Sequence, residues 1–112
     1  MKSNELRMGN WVQMPYGTPV RITLSDFARA RKFDTHFGTY EPIPITEEWL
    51  DSIEDDGSFR LKYIKSIDAF EVEREYISFE KEEWIFISNC RYRHEWQNLH
   101  FALTGEELKE KK

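Results

Sequence analysis

Phe59-Arg60-Leu61-Lys62-Tyr63, Phe70-Glu71-Val72-Glu73-Arg74-Glu75 and Trp84-Ile85-Phe86-Ile87 decide the fold. In the first two runs apolar and charged residues alternate with a period of two. That is the pattern of a strand with one face buried and one in water. The third run is apolar on both faces, which suits a central strand. Together they predict an antiparallel meander of three or four strands.

The chain changes character after this meander. Arg93 to Thr104 predicts a helix, with Trp96, Leu99 and Leu103 at i, i+3 and i+7 on its buried side. Gly105 follows as its left-handed stop. Before the meander, Leu6 to Gln13 and Val20-Arg21-Ile22-Thr23 flank Pro15-Tyr16-Gly17-Thr18-Pro19. Turn residues at that density predict a hairpin, loosely similar to the opening of SH3-like barrels. Ser25 is read as the N-cap of a short helix from Asp26 to Phe33. Tyr40-Glu41-Pro42-Ile43-Pro44 must run extended. Thr46 then caps a second helix, with Glu47 and Glu48 in its first turn and Trp49, Leu50 and Ile53 on its buried stripe.

The expected class is α+β. Residues 1–105 are read as one domain, with an N-terminal β-hairpin and a twisted antiparallel sheet carrying the C-terminal helix. Residues 106–112 are expected to be a frayed tail. Whether the sheet curls toward a barrel stays open.

The chain has 112 residues, of which 33% are charged, and a net charge of −5. No apolar run approaches the roughly 20 residues of a spanning helix. The start, Met1-Lys2-Ser3-Asn4-Glu5, has no apolar leader core, and Cys90 is the single cysteine. A cytoplasmic protein without disulfides is therefore expected. Charge is uneven. Residues 46–86 hold 13 acids and 5 bases, whereas residues 1–45 hold 4 and 6. The acidic middle argues against wrapping a nucleic-acid duplex. It fits an acidic face that docks on a basic partner.

Motifs for catalysis are sparse. Cys90 is followed by His94 and His100, but it ends an apolar strand, where a thiol is more often a small buried hydrophobe. His94 and His100 are six apart and fall on different faces of a helix, unlike a zinc pair, and His36 is far away. Glu71, Glu73 and Glu75 share one strand face, read as solvated. The five glycines are isolated and make no phosphate loop. Arg29, Arg31 and Lys32 either complement a helix C-terminus or form an anion patch. No enzyme, metal or cofactor is expected.

The remaining candidate is small-ligand recognition. Arg91, Tyr92, Arg93, His94, Trp96, Gln97 and Asn98 crowd the passage from the last strand into the last helix. Arginine forks and helix-start amides suit anions, and aromatic rings stack on bases. The expected site is Arg91, Arg93 and His94 on phosphate, with Trp11, Tyr40 or Tyr92 on the base and Asn98 beside them. A structural role for the same residues is the competing reading.

Three blocks carry a resemblance: Glu5-Leu6-Arg7-Met8-Gly9-Asn10-Trp11-Val12, the run from Tyr40 to Leu50, and the run from Gln97 to Leu108. They are similar to a family of small uncharacterised phage and mobile-element proteins of Bacteroides-type bacteria. The resemblance implies a setting, not a catalytic set. Small phage proteins of this kind counter host defence. Some resemble sponges that sequester a signalling nucleotide, and others block a host protein. The first expectation is thus a non-enzymatic binder of a small anionic, nucleotide-like ligand, held in a homo-oligomer. The alternative is a protein–protein inhibitor or adaptor using the acidic 46–83 surface. A signalling-nucleotide hydrolase ranks last.

Overall fold

The computed structural model describes residues 5–32, 40–54, 57–77 and 81–111; for Arg31 and Lys32 it describes the backbone only. Phe33, His36, Thr39, Asp55 and Asp56, which figure in the sequence reading, lie outside these residues. The fold is α+β, with two three-stranded antiparallel sheets, an N-terminal hairpin and a C-terminal helix. The chain divides into two compact units. One comprises Met1–Pro44 and Tyr92–Glu107, the other Ile45–Arg91 and Leu108–Lys112.

In the first unit, β1 (Trp11–Gln13) pairs with β2 (Pro19–Arg21) to form the expected hairpin. β3 (Glu41–Pro42) pairs on the other side of β1, so the extended Pro-x-Pro path becomes a sheet edge. Proline is tolerated there because an edge strand need not donate on both sides. Leu6, Val12 and Ile22 form a buried cluster, with Val20, Phe27, Ala30 and Tyr40 packed against it.

Helix α1 runs from Leu24 to Lys32, two residues earlier than the sequence suggests. Ser25 lies inside it. The start is instead held by Asp26, whose Oδ2 accepts from the Thr23 backbone N–H at 2.8 Å and from Thr23 Oγ1 at 3.0 Å. An acid three positions into a helix, bonding back to the cap residue, is half of a capping box.

Helix α3 (Arg93–Thr104) begins and ends where the sequence places it. The Glu95 carboxylate accepts from the Tyr92 N–H at 2.9 Å, and Gly105 adopts φ +75 as its stop. Its contacts with a strand of its own unit are with β1. Its buried residues are Trp96, as expected, and also the polar His94 and Gln97. Leu99 and Leu103 are only half-buried.

In the second unit, Thr46 caps α2 (Glu47–Ser52), its Oγ1 accepting from the Trp49 N–H at 3.2 Å. Trp49 and Ile53 are buried, and Leu50 is half-buried. Strands β4 (Phe59–Ile64), β5 (Ala69–Ile77) and β6 (Glu82–Cys90) form the expected meander, in the order β4-β5-β6. Phe59, Phe70, Val72 and Cys90 are buried on one face.

Two expectations are corrected here. The apolar run Trp84 to Ile87 lies in β6, an edge strand and not a central one. Ile85 and Phe86 are exposed as a result. The tail, whose Lys112 lies outside the described residues, is tied down through Lys109, Glu110 and Lys111. Glu110 bridges Ile53, Glu54 N donates to Lys109 O at 2.7 Å, and Lys111 N donates to Ser52 O at 2.8 Å. Backbone bonds hold this segment although Leu108 is its one apolar side chain.

Candidate functional site

The anticipated ligand residues fall into separate environments. Arg91, in the second unit, donates from Nη2 to Ile67 O at 2.9 Å and from Nε to Asp68 O at 3.2 Å. It closes the β4–β5 turn, where Asp68 has φ +49. A guanidinium so used satisfies carbonyls that a tight turn leaves without partners.

The other six belong to the first unit. Tyr92 and His94 lie together, their rings parallel within 7° and 6.1 Å apart. Arg93 between them is half-buried, and its backbone N–H donates to Ile43 O at 2.8 Å. His94 is 7% exposed, and among the described residues its Nδ1 has no hydrogen-bond partner. Burial holds its pKa below the ordinary value, opposed in part by Glu95 and Glu5.

Asn98 is engaged elsewhere. Its Oδ1 accepts from Arg7 Nη1 and from Asn10 Nδ2, each at 2.9 Å, and its Nδ2 donates to Glu5 O at 3.0 Å. Trp11 donates its backbone N–H to Gln97 Oε1 at 2.8 Å, and Arg21 covers its ring at 4.8 Å. Tyr40 donates its hydroxyl to Asp26 Oδ1 at 2.6 Å. Burial, and then that bond, push its pKa up to about 12. The structure therefore brings Tyr92 and His94 together. It distributes Arg91, Asn98, Trp11 and Tyr40 among contacts that hold the fold.

Sequence reasoning passed over Arg7. Its guanidinium joins Asn98, pairs with Glu107 and lies 4.0 Å above the Phe101 ring. A lone arginine near an N-terminus carries no periodic signal. Its location within one of the three resemblance blocks was the available hint.

A second set of residues gathers on the outer half of the β5–β6 hairpin. Register puts Glu71, Glu73, Glu75 and Ile77 on one sheet face, with Glu82, Trp84 and Phe86 of β6 across from them. Arg60 forks onto Glu73 at 3.1–3.2 Å and lies 4.4 Å over the Trp84 ring. Glu73 is thus paired, and the three glutamates do not form a uniformly solvated row. Glu75 hydrogen-bonds Glu82, and this crowding of carboxyls raises its pKa. The opposite face carries Tyr76 and Ile85. Tyr76, Ile77 and Phe86 are 54%, 74% and 52% exposed. One hairpin thus presents large apolar side chains on both faces with carboxylates among them. Scattered exposed hydrophobics need no explanation, but several large ones gathered on the two faces of one hairpin beside an open strand edge suit a binding surface.

Cys90 is buried, as a structural thiol would be. Among the described residues, no three His, Cys, Asp or Glu side chains gather as a metal-holding group. No helix among them is long and apolar enough to cross a membrane. Comparison of the chain with protein-family models, curated proteins and solved structures found no match.

Proposed function

We propose that the protein is a non-enzymatic protein-binding module that acts through the outer half of its β5–β6 hairpin. The carrying observation is the exposed group Tyr76, Ile77, Ile85 and Phe86 set beside Glu75, Glu82 and Glu83. Apolar side chains supply the interaction energy, and the carboxylates select a basic partner and speed encounter. In the phage or mobile-element setting that the resemblance implies, the partner is a host protein that the module blocks.

A photoreactive phenylalanine analogue at position 86 tests this, with the same group at exposed Tyr16 as control. The expected result is a salt-sensitive adduct at 86 and none at 16. Its partner should be identified by mass spectrometry, and the adduct should re-form with that partner purified. Equal adducts at both positions, or none, would overturn the proposal.

Sequestration of a small anionic, nucleotide-like ligand is the second reading. The parallel Tyr92 and His94 rings at the start of α3 favour it. It draws no support from Arg91 or Asn98, whose donors serve the fold. Native mass spectrometry of protein purified from cells with active nucleotide signalling separates the two. An intact nucleotide released on denaturation would favour sequestration.

A further inference from the structure

The two edges of the β4-β5-β6 sheet are defended differently. Soluble proteins protect exposed strand edges with charge, short length or bulges. β4 is six residues long and carries Arg60 and Lys62, with Lys65 just beyond. β6 is nine residues long, and its charges are confined to Glu82 and Glu83 at the start. From Trp84 to Asn89 it has none. Its one irregularity lies opposite Val72 and Glu73, where Ile87 is the extra residue. No strand among the described residues pairs with its outer side. Its sequence is that of a strand with neighbours on both sides, and among the described residues it has one.

From this we infer that β6 accepts a strand from a partner, and that the incoming segment is extended, basic and apolar by turns. This rests on the protein-binding reading and names its mode, strand addition at an open sheet edge. Main-chain hydrogen bonds would be made along β6. Alternate side chains of the guest fall on opposite faces. On one face they meet Glu82, Trp84 and Phe86; the Trp84 ring already carries the Arg60 guanidinium, and Glu82 and the exposed Phe86 ring suit lysine or arginine through charge and ring contact. On the other they meet Glu83, which pairs with Lys81 at 2.9 Å, and Ile85, which suits a β-branched residue.

Charge selects the occupant. Register sets Glu82 on the same face as Glu75 of the neighbouring strand, with Glu83 next to it in sequence, so the open edge begins at a cluster of carboxylates that a cation would offset. A second copy of this chain would instead bring another net charge of −5 to an acidic hairpin. The guest is therefore a basic segment of a different protein.

A labelled nine-residue peptide alternating lysine and valine is the probe, matched in length to β6. Binding to the intact protein is read by fluorescence anisotropy. A control peptide of the same sequence carries N-methyl groups on alternate residues, chosen in turn on each face. It keeps the charge but cannot complete the ladder. The expected result is binding of the unmodified peptide that falls with salt. Binding should be lost with one N-methyl set and with Phe86→Lys, whose fold is checked by circular dichroism.

Absent binding, or equal binding by both N-methylated peptides, would overturn strand addition. So would a dimer in sedimentation experiments that Phe86→Lys dissolves, since that would make a second copy the occupant. If the peptide fails while the position-86 adduct persists, strand addition is wrong and the binding reading stands. If both fail, the binding reading falls with it.

Discussion

Gln97 holds Trp11 and Gly9, two residues before it, as a strand would: Trp11 N–H donates to Gln97 Oε1 at 2.8 Å, and Gln97 Nε2 donates to Gly9 O at 3.1 Å. One helical amide thus satisfies two backbone groups at the mouth of β1. Gln97 is buried, so each lost bond strands a polar group away from water. Gln97→Leu should cost about 2 kcal/mol. Gln97→Glu keeps the acceptor but faces a carboxylate toward the Gly9 carbonyl, so it should restore nothing at neutral pH. Urea denaturation of the three proteins checks this. Recovery with glutamate would show that only the Trp11 bond matters.

His94 makes stability depend on pH in a definite direction. Burial lowers its folded pKa below the ordinary 6.5. Between the two values the unfolded chain binds the proton and the folded chain does not, so stability rises with pH across that window. The contribution is fully present above about 6.5 and is lost as pH falls toward the folded value. His94→Gln does not titrate and should lack this slope. Comparing the two proteins by denaturation above and below the window isolates the term from the carboxylates. Parallel curves would contradict the assignment.

Much of the architecture was legible because it is written locally. Alternation from Phe59 to Val72 marks β4 and β5, and Thr46 and Gly105 mark helix ends by cap chemistry alone. The Gln97–Trp11 and Asn98–Arg7 contacts were not legible. Their partners lie 86 and 91 positions apart, and a polar side chain carries no period that points to its acceptor. Asn98 and Trp11 therefore read as ligand groups when they are fold contacts. The placement of β6 failed for another reason. An apolar strand between two neighbours and an apolar strand at a sheet edge have the same local sequence, and only strand order distinguishes them.

Tyr40 and Asp26 form the corresponding latch on α1. The hydroxyl bonds one carboxylate oxygen at 2.6 Å while Thr23 holds the other. Tyr40→Phe removes the first contact and leaves the helix start intact, at a cost of about 1–2 kcal/mol. The folded phenol titrates at about 12 against an ordinary 10.0. The fold favours the neutral form, so this stability is complete below the unfolded value and is lost as pH rises from there toward the folded one. Tyr63, whose hydroxyl donates to Asp68 Oδ1 at 2.7 Å, is also raised by that bond, so absorbance titration of Tyr63→Phe should show one late tyrosinate component, absent when Tyr40→Phe is added. Its persistence in the variant would move it to another tyrosine.

Glu75 is expected to work against the fold at neutral pH. Its hydrogen bond with Glu82 requires a proton on one of the two carboxyls, and this raises its folded pKa above the ordinary value of 4.5. For an acid with a raised folded pKa, the favourable contribution is present below the unfolded value and disappears as pH rises through the folded one. Glu75→Gln keeps a hydrogen-bond donor facing Glu82 at every pH and removes one of the two charges. It should therefore gain stability relative to wild type near neutrality and lose that advantage in acid, where the native pair holds its shared proton. Urea denaturation of the two proteins near neutrality and in acid checks this. No gain at neutral pH would mean that solvent already screens the pair. The charge argument for a basic guest beside β6 would then lose its local support.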